Sequence, residues 1–406
     1  MTQDLSANTQ AILLLTAPLN FGRGFSTTEA LTPREYAKLA THLHVHGRQP
    51  GEMLASDAPG VVLDGLDATI DASRLRRLLD RGFLLAQAVE RWHTRSIWVI
   101  SRADDSYPRR IKERLRDAAP PILYGCGDAL LLDRGGLAVV GSRQIDSSLM
   151  EYAEDVGRLA GRARQGVISG GAKGVDQAAM RGALDVGGTV VGVLADSLEK
   201  VAIHRELRSG LVDHQLVLVS PYDPNAGFNV GNAMQRNKLI YALADAALVV
   251  NSDLKKGGTW AGAEEQLRKF HFVAMYVRST GTASAGLEAL RSKGARDWPN
   301  PSEPATLAAI LNRDTEAILV EPLSHLGGNV PSDGDLTPHV RERVFGLIEQ
   351  SKKPKKPMEI AAELGVSFEQ VTQGLNELVA EGRIEKPASR AAFRLRPPTL
   401  FDGIST

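Results

Sequence analysis

Between Ile97 and Trp298 short β-type runs alternate with segments of helical length, which predicts an α/β protein with a mainly parallel sheet, covered on both faces and joined by right-handed crossovers. Two glycine turns support this. Leu137-Ala138-Val139-Val140 and Val167-Ile168-Ser169 are apolar runs of the kind buried in parallel sheets. The first runs straight into Gly141-Ser142-Arg143, the second into Gly170-Gly171-Ala172-Lys173-Gly174-Val175-Asp176, and each turn opens a helical pattern. Flanking this stretch are helical residues on the N-terminal side and a three-helix-plus-hairpin pattern at the end. The expected organisation is an N-terminal helical domain over 1–95, an α/β domain over 96–312, a linker over 313–336, a winged helix over 337–396 and a tail over 397–406.

In the first domain Thr32-Pro33-Arg34-Glu35 marks a helix start: Thr32 caps, Pro33 fits the first turn and Glu35 closes a capping box. A second helical stretch runs from Ser73 to Trp92, with Leu75, Leu78, Leu79, Phe83 and Leu84 spaced as one apolar core face. Candidate strands then follow at Ile97–Ile100, Leu137–Gly141, Gly166–Ser169, Thr189–Leu194, Gln215–Ser220, Ala247–Asn251 and Phe272–Val277. In such sheets ligands bind at the carboxyl ends of the strands, near the switch in strand order.

The two glycine turns belong to that edge. Gly141 lets the backbone turn sharply, and the N–H groups that open the following helices are expected to face outward, where helix dipoles and the charges of Arg143 and Lys173 favour an anion. The ligand should carry phosphate. Neither turn matches Gly-x-Gly-x-x-Gly or a Walker A loop, so no dinucleotide or nucleoside triphosphate is implied. The plainer reading is that Gly170, Gly171 and Gly174 only make tight turns. Two more loops reach the same edge: Met234-Gln235-Arg236-Asn237-Lys238, and Lys255-Lys256-Gly257-Gly258-Thr259. Taken alone, Arg236 and Lys238 suit a solvated helix start. With the turns they make a groove suited to a phosphodiester backbone, whose binding gains from counterion release.

Composition sets limits. The 406 residues are 43% hydrophobic with a formal net charge of +0, so nucleic-acid binding must come from local positive charge. One cysteine, Cys126, rules out an internal disulfide and a cysteine-rich zinc site. No metal cluster, secretory signal or apolar run of membrane-spanning length, roughly 18 residues, is visible, and a cytoplasmic protein is expected.

Five motifs in order, Asp105-Ser106-Tyr107-Pro108, Pro121-Ile122-Leu123-Tyr124-Gly125, Val140-Gly141-Ser142-Arg143, Ser169-Gly170-Gly171-Ala172-Lys173-Gly174-Val175-Asp176 and Arg236-Asn237-Lys238, resemble the DNA-processing protein A (DprA/Smf) family. The resemblance implies an extended Rossmann-like domain that binds single-stranded DNA in a positive pocket, helps load RecA recombinase, forms a homodimer through this domain, and performs no chemistry with no cofactor. The family pattern carries DNA contact onto Gly141, Ser142, Arg143, Gly170, Gly171, Lys173, Arg236 and Asn237. Ser169, Gly174, Lys238, Lys256, Gly257, Gly258 and Thr259 complete the candidate set. Asp176 is read as fixing the loop and offsetting the helix dipole. Trp260 and Tyr241 lie near the groove as stacking rings or as core.

Two departures stand out. Arg236-Asn237-Lys238 replaces the usual Arg-Asn-Arg, and Gly257-Gly258-Thr259-Trp260, followed by Gly262-Ala263-Glu264-Glu265, replaces a Ser-Gly-Thr-Leu type loop. A divergent branch is expected, serving DNA uptake and recombination, repair, or anti-phage defence. The same segment loosely resembles LOG-type phosphoribohydrolases, in which Glu264 or Glu265 would stabilise an oxocarbenium. A nucleotide-binding sensor is a further alternative.

Beyond the linker, Val340–Glu349, Pro357–Leu364 and Ser367–Glu381 read as three helices, with Ser367 as a cap and Ile360, Ala361, Leu364, Val366, Val371, Leu375 and Leu378 as core. Gly382–Glu385 and Ala392–Leu395 form the wing. Gln370 and Gln373 suit a groove, and Lys355, Lys356, Arg390 and Arg394 suit phosphates. Glu369, Glu377 and Glu381 on the third helix favour a protein-contact role instead.

Overall fold

The computed structural model describes residues 5–19, 30–55, 70–282, 284–320 and 338–349, with 360, 371, 375, 378, 383–385 and 394–395 beyond them. Residues Met1–His325 form one compact unit and Leu326–Thr406 a second.

The first unit is built on nine strands: β1 (Trp98–Ser101), β2 (Ile122–Gly127), β3 (Leu137–Val140), β4 (Val167–Ser169), β5 (Val190–Val193), β6 (Leu216–Ser220), β7 (Ala246–Val249), β8 (Ala274–Val277) and β9 (Arg296–Asp297). Their spatial order is β1-β2-β6-β5-β4-β3-β7-β8-β9. From β6 to β9 every pairing is parallel, while β2 runs antiparallel to both β1 and β6. All seven expected strands are present. Three end one or two residues early, because the residues after them already turn, and five begin one or two residues late. The sheet also gains β2, which begins within the Pro121–Gly125 motif, and the two-residue β9.

The alternation of side chains along each strand sorts the core into two layers, as a period of two requires. Leu137 and Val139 of β3, Val167 of β4 and Leu248 of β7 share one cluster with the N-terminal helices α1 (Ala7–Thr16), α2 (Pro33–Val45), α3 (Ala72–Leu79) and α4 (Gly82–His93). The same cluster takes residues of α6 (Ser147–Arg162) and α7 (Val175–Asp185). Ala138, Val140, Ile168 and Val249 point the other way, onto α5 (Arg109–Leu115), α9 (Val230–Leu243), α10 (Gly257–Glu265) and α11 (Ala285–Arg291). Helices on both faces of a mostly parallel sheet make a Rossmann-like fold.

Thr32 caps α2 and Glu35 closes the box, the Thr32 N–H donating to its carboxylate at 2.7 Å. The stretch from Ser73 to Trp92 is two helices rather than one. The chain breaks at Asp80-Arg81-Gly82, where glycine weakens helix continuity. The break corrects the expected apolar face: Leu75 and Leu78 are fully buried, whereas Phe83 is 74% exposed. The N-terminal helices are also held by charge. Glu199 on α8 (Leu198–Val201), just past β5, is buried, accepts from Arg91 Nε at 2.6 Å and forms an ion pair with Arg95, whose Nε lies 2.8 Å away. The hydrogen bond from Arg91 holds the Glu199 carboxyl below its ordinary range.

Helix α12 (Pro304–Val320) closes the described part of this unit, with Leu307 and Leu311 against the sheet's first face. In the second unit α13 (Pro338–Glu349) and the antiparallel pair β10 (Ile384–Glu385) and β11 (Arg394–Leu395) are described. Val344, Ile348, Ile360, Val371, Leu375, Leu378 and Ile384 form one cluster, and the Arg383 guanidinium lies 3.8 Å from the Phe345 ring centroid. Arg394 lies on β11. Lys355, Lys356, Gln370, Gln373 and Arg390 lie outside the described residues, as do most of the second and third expected helices.

Candidate nucleic-acid interface

The chain runs from β3 through β4 and β5 to β6 in one direction across the sheet, then returns to place β7 on the other side of β3. The switch in strand order therefore lies between β3 and β7, and the crevice at their carboxyl ends is where this architecture holds ligands. A direct bond joins the two ends: the Thr259 hydroxyl, in the first turn of α10, donates to the carbonyl of Gly141 at 2.8 Å. Asn237 on α9 braces the same helix, its Nδ2 donating to the Gly258 carbonyl at 2.9 Å. Gly257 opens α10 with φ +82, and Lys256 stands exposed before it.

The β4 turn is shaped by close approach. Gly174 has φ +88, and a Cβ there would stand 2.7 Å from the Arg143 carbonyl oxygen, so the two turns are in backbone contact. Gly171 is also left-handed, at φ +66. At Gly170 a Cβ would stand 2.7 Å from Asp176 Oδ2 and closer still to the Arg236 guanidinium. Only glycine fits between those two side chains.

Asp176 is buried under both turns. Its carboxylate accepts the Gly170 N–H at 3.1 Å, and the nearby Ala172 and Gly141 N–H groups also favour its charged form. Burial pushes its carboxyl up to about 6, against the pull of Arg236 and these donors. The Gly170 N–H is thus turned inward, onto a carboxylate of the chain.

Three further expectations need correction. Ser169 is fully buried and its hydroxyl donates to the Val139 carbonyl at 2.6 Å, bracing β4 against β3. Arg236 is 6% exposed: Nη1 donates to the Val193 carbonyl at 2.5 Å, and Nε is buried without a hydrogen-bond partner. It lies behind Gly170, where burial lowers its pKa. Lys238 is half-buried, its Nζ 3.4 Å from Gln235 Oε1 and in the field of Glu265 and Lys269, so its charge is directed along its own helix and not at the turns. Trp260 and Tyr241 are both core, and the Trp260 indole donates to Glu264 Oε2 at 3.2 Å. Glu264 also pairs with Lys293 at 3.0 Å, and Glu265 with Lys269 at 3.3 Å.

Exposed cations remain at the loop tips. Arg143 follows β3, Lys173 follows β4, and Lys255 and Lys256 follow β7. Among the described residues no carboxylate pairs with any of them. Ser142 sits half-buried at the base of the first turn, its carbonyl accepting the Val175 N–H. Phe228, 55% exposed, lies under Arg143, with the guanidinium 5.0 Å from its ring centroid. Sequence reasoning missed this ring. Its signal was an aromatic set among the turn-forming residues Pro224, Asn225, Gly227 and Asn229.

A family model described as DNA recombination-mediator protein A matches residues 98–304, just over half of the chain. The chain belongs to this family. The protein named as the DNA processing protein DprA of Mycobacterium tuberculosis is 33% identical over 181 residues, covering 44% of this chain and 46% of the relative. DprA of Streptococcus pneumoniae is 32% identical over 157 residues, covering 38% and 54%. The chain spans about half the length of the curated relatives it matches. The X-ray structure of the S. pneumoniae protein superposes with a TM-score of 0.56 at 19% identity, over 76% of this chain and 98% of that one, so the two share a fold. Both glycine turns and the Arg236-Asn237-Lys238 run lie inside the matched region. No group of three or more metal-ligating side chains occurs among the described residues, and no described helix is long and apolar enough to cross a membrane.

Proposed function

We propose that this member of the DNA recombination-mediator family binds single-stranded DNA, without chemistry, across the carboxyl ends of β7, β3 and β4. The observation that carries the reading is the set of exposed cations, Arg143, Lys173 and Lys256, each at the tip of a loop at the switch in strand order and none paired with a carboxylate. Cations of this kind meet phosphates by charge, without reading sequence. Phe228 offers a ring face beside Arg143, and stacking on such a face suits unpaired bases. Asn237 and Thr259 act by holding the α10 loop, and Arg236 by supporting Gly170 from behind.

The ion pairs of Glu264 and Glu265 give an oxocarbenium-stabilising role no support. A cytoplasmic place in DNA uptake and recombination with a RecA-type partner, or in repair or anti-phage defence, agrees with family membership, as do a homodimer and a C-terminal winged helix. The test is fluorescence anisotropy of a labelled poly-dT oligonucleotide at two salt concentrations. Wild type should bind tightly and lose affinity with salt, and Arg143→Ala/Lys173→Ala should lose most of the binding. Absence of binding by wild type would turn attention to a single nucleotide as ligand.

A further inference from the structure

Asp176 is a buried carboxylate between the two glycine turns, and its placement is unexpected for a site that attracts a polyanion. The Gly170 N–H of the β4 turn donates to it at 3.1 Å, Ala172 and Gly141 N–H groups nearby also favour its charged form, and the neighbouring Val175 N–H donates to the Ser142 carbonyl of the β3 turn. Arg236 stands on the far side of Gly170. Its guanidinium is anchored to the end of β5 through the Val193 carbonyl. Gln177 Nε2, one residue along α7, donates to the Gly171 carbonyl at 3.2 Å and braces the same turn from outside.

We infer, building on the DNA reading above, that Asp176 is a positioning residue whose negative charge holds the two glycine turns at the spacing at which Arg143 and Lys173 meet one phosphate backbone. The charged form is the one that draws in N–H donors. Loss of the charge frees those N–H groups and lets the turns separate, so binding weakens. Simple electrostatics predicts the reverse, since removing a negative charge from beneath a polyanion should tighten binding. The two accounts differ in sign.

The fold does not require the ionised group. The Asp176 carboxyl titrates near 6 in the folded chain, above the roughly 3.9 of an unfolded aspartate, so the folded state binds the proton more tightly. Its contribution to stability therefore rises as pH falls from about 6 towards about 4. A charge that the fold would be more stable without, kept under a binding edge, is the pattern of a residue serving the site. The charged and titratable groups around it are Arg236 and Tyr241 on α9, with Arg143, Asp196 and Tyr222 in the field of Arg236. No histidine is among them.

The experiment measures anisotropy of labelled dT12 from pH 7.5 to 5.0 for wild type and Asp176→Asn, with thermal unfolding of both as the control for folding. Asp176→Asn should unfold at or above the wild-type temperature and bind dT12 about tenfold more weakly at pH 7.5. Wild-type affinity should fall by a similar factor as pH passes through about 6, and the variant should show no such fall. Equal or tighter binding by Asp176→Asn, or a wild-type affinity that only rises on acidification, overturns the inference and leaves the DNA reading standing. Should the variant fail to fold, the wild-type pH profile alone decides, because protonation of surface histidines can only strengthen binding. Absence of wild-type binding at every pH removes the DNA reading and this inference with it.

Discussion

Arg143, in the turn after β3, and Arg236, within α9, both read in the sequence as phosphate ligands at the carboxyl edge of the sheet. The structure separates them. Arg143 stands in solvent at the tip of the β3 turn over Phe228, while Arg236 is sealed behind Gly170 and donates to a backbone carbonyl. The tip of the edge is free to meet a ligand, and its floor is committed to holding the turns in place. Basic residues in one motif can therefore have opposite duties, one towards the partner and one towards the fold.

Substitutions at the two levels test this division. The largest effect belongs to the floor: Arg236→Ala should lower stability by about 3 kcal/mol, because it removes a buried side chain bonded to the Val193 carbonyl and leaves a cavity behind Gly170. Chemical denaturation measures this, and a loss below about 1 kcal/mol would place Arg236 with Arg143 after all. An intermediate effect is expected where the levels join. Thr259→Val removes the hydroxyl that bonds the Gly141 carbonyl and should cost about 1 kcal/mol, with weaker DNA binding following from a displaced α10. The smallest effect on stability belongs to the tip. Arg143→Ala should stay within about 0.5 kcal/mol of wild type, yet reduce the slope of log affinity against log salt by about 0.7, the value for one lost phosphate contact on a single strand. An unchanged slope would remove Arg143 from the footprint.

The same contrast shows what was readable from the residues alone. Strand positions were legible because parallel strands here are unbroken apolar runs closed by glycine or a polar loop. β2 was harder. It begins after Pro120-Pro121 and contains Gly125, so it reads as a turn motif until its pairing with β1 and β6 is known. The runs after β3, β4 and β7 do follow the carboxyl ends of those strands, whereas Met234–Lys238, read as opening a helix, lies inside α9. Depth was not legible. Whether Ser169, Arg236, Lys238 or Trp260 faces solvent depends on which helix packs over it, and that is set by residues dozens of positions away. Phe228 was invisible for the opposite reason, as nothing in a loop's periodicity marks one exposed ring. The sharing of a core between α1–α4 and the sheet was equally hidden, because an amphipathic helix declares that it has a buried face but not what covers it.

The clasp of Arg91 and Arg95 on Glu199 has a bearing on ancestry as well as on architecture. The family model's match begins at residue 98, yet the carboxylate closed by that clasp lies inside the match and both arginines lie before it. Likeness between relatives and integrity of the folded body thus have different borders. The matched segment is not a freestanding piece of this fold, because the helices ahead of β1 supply part of its buried interior.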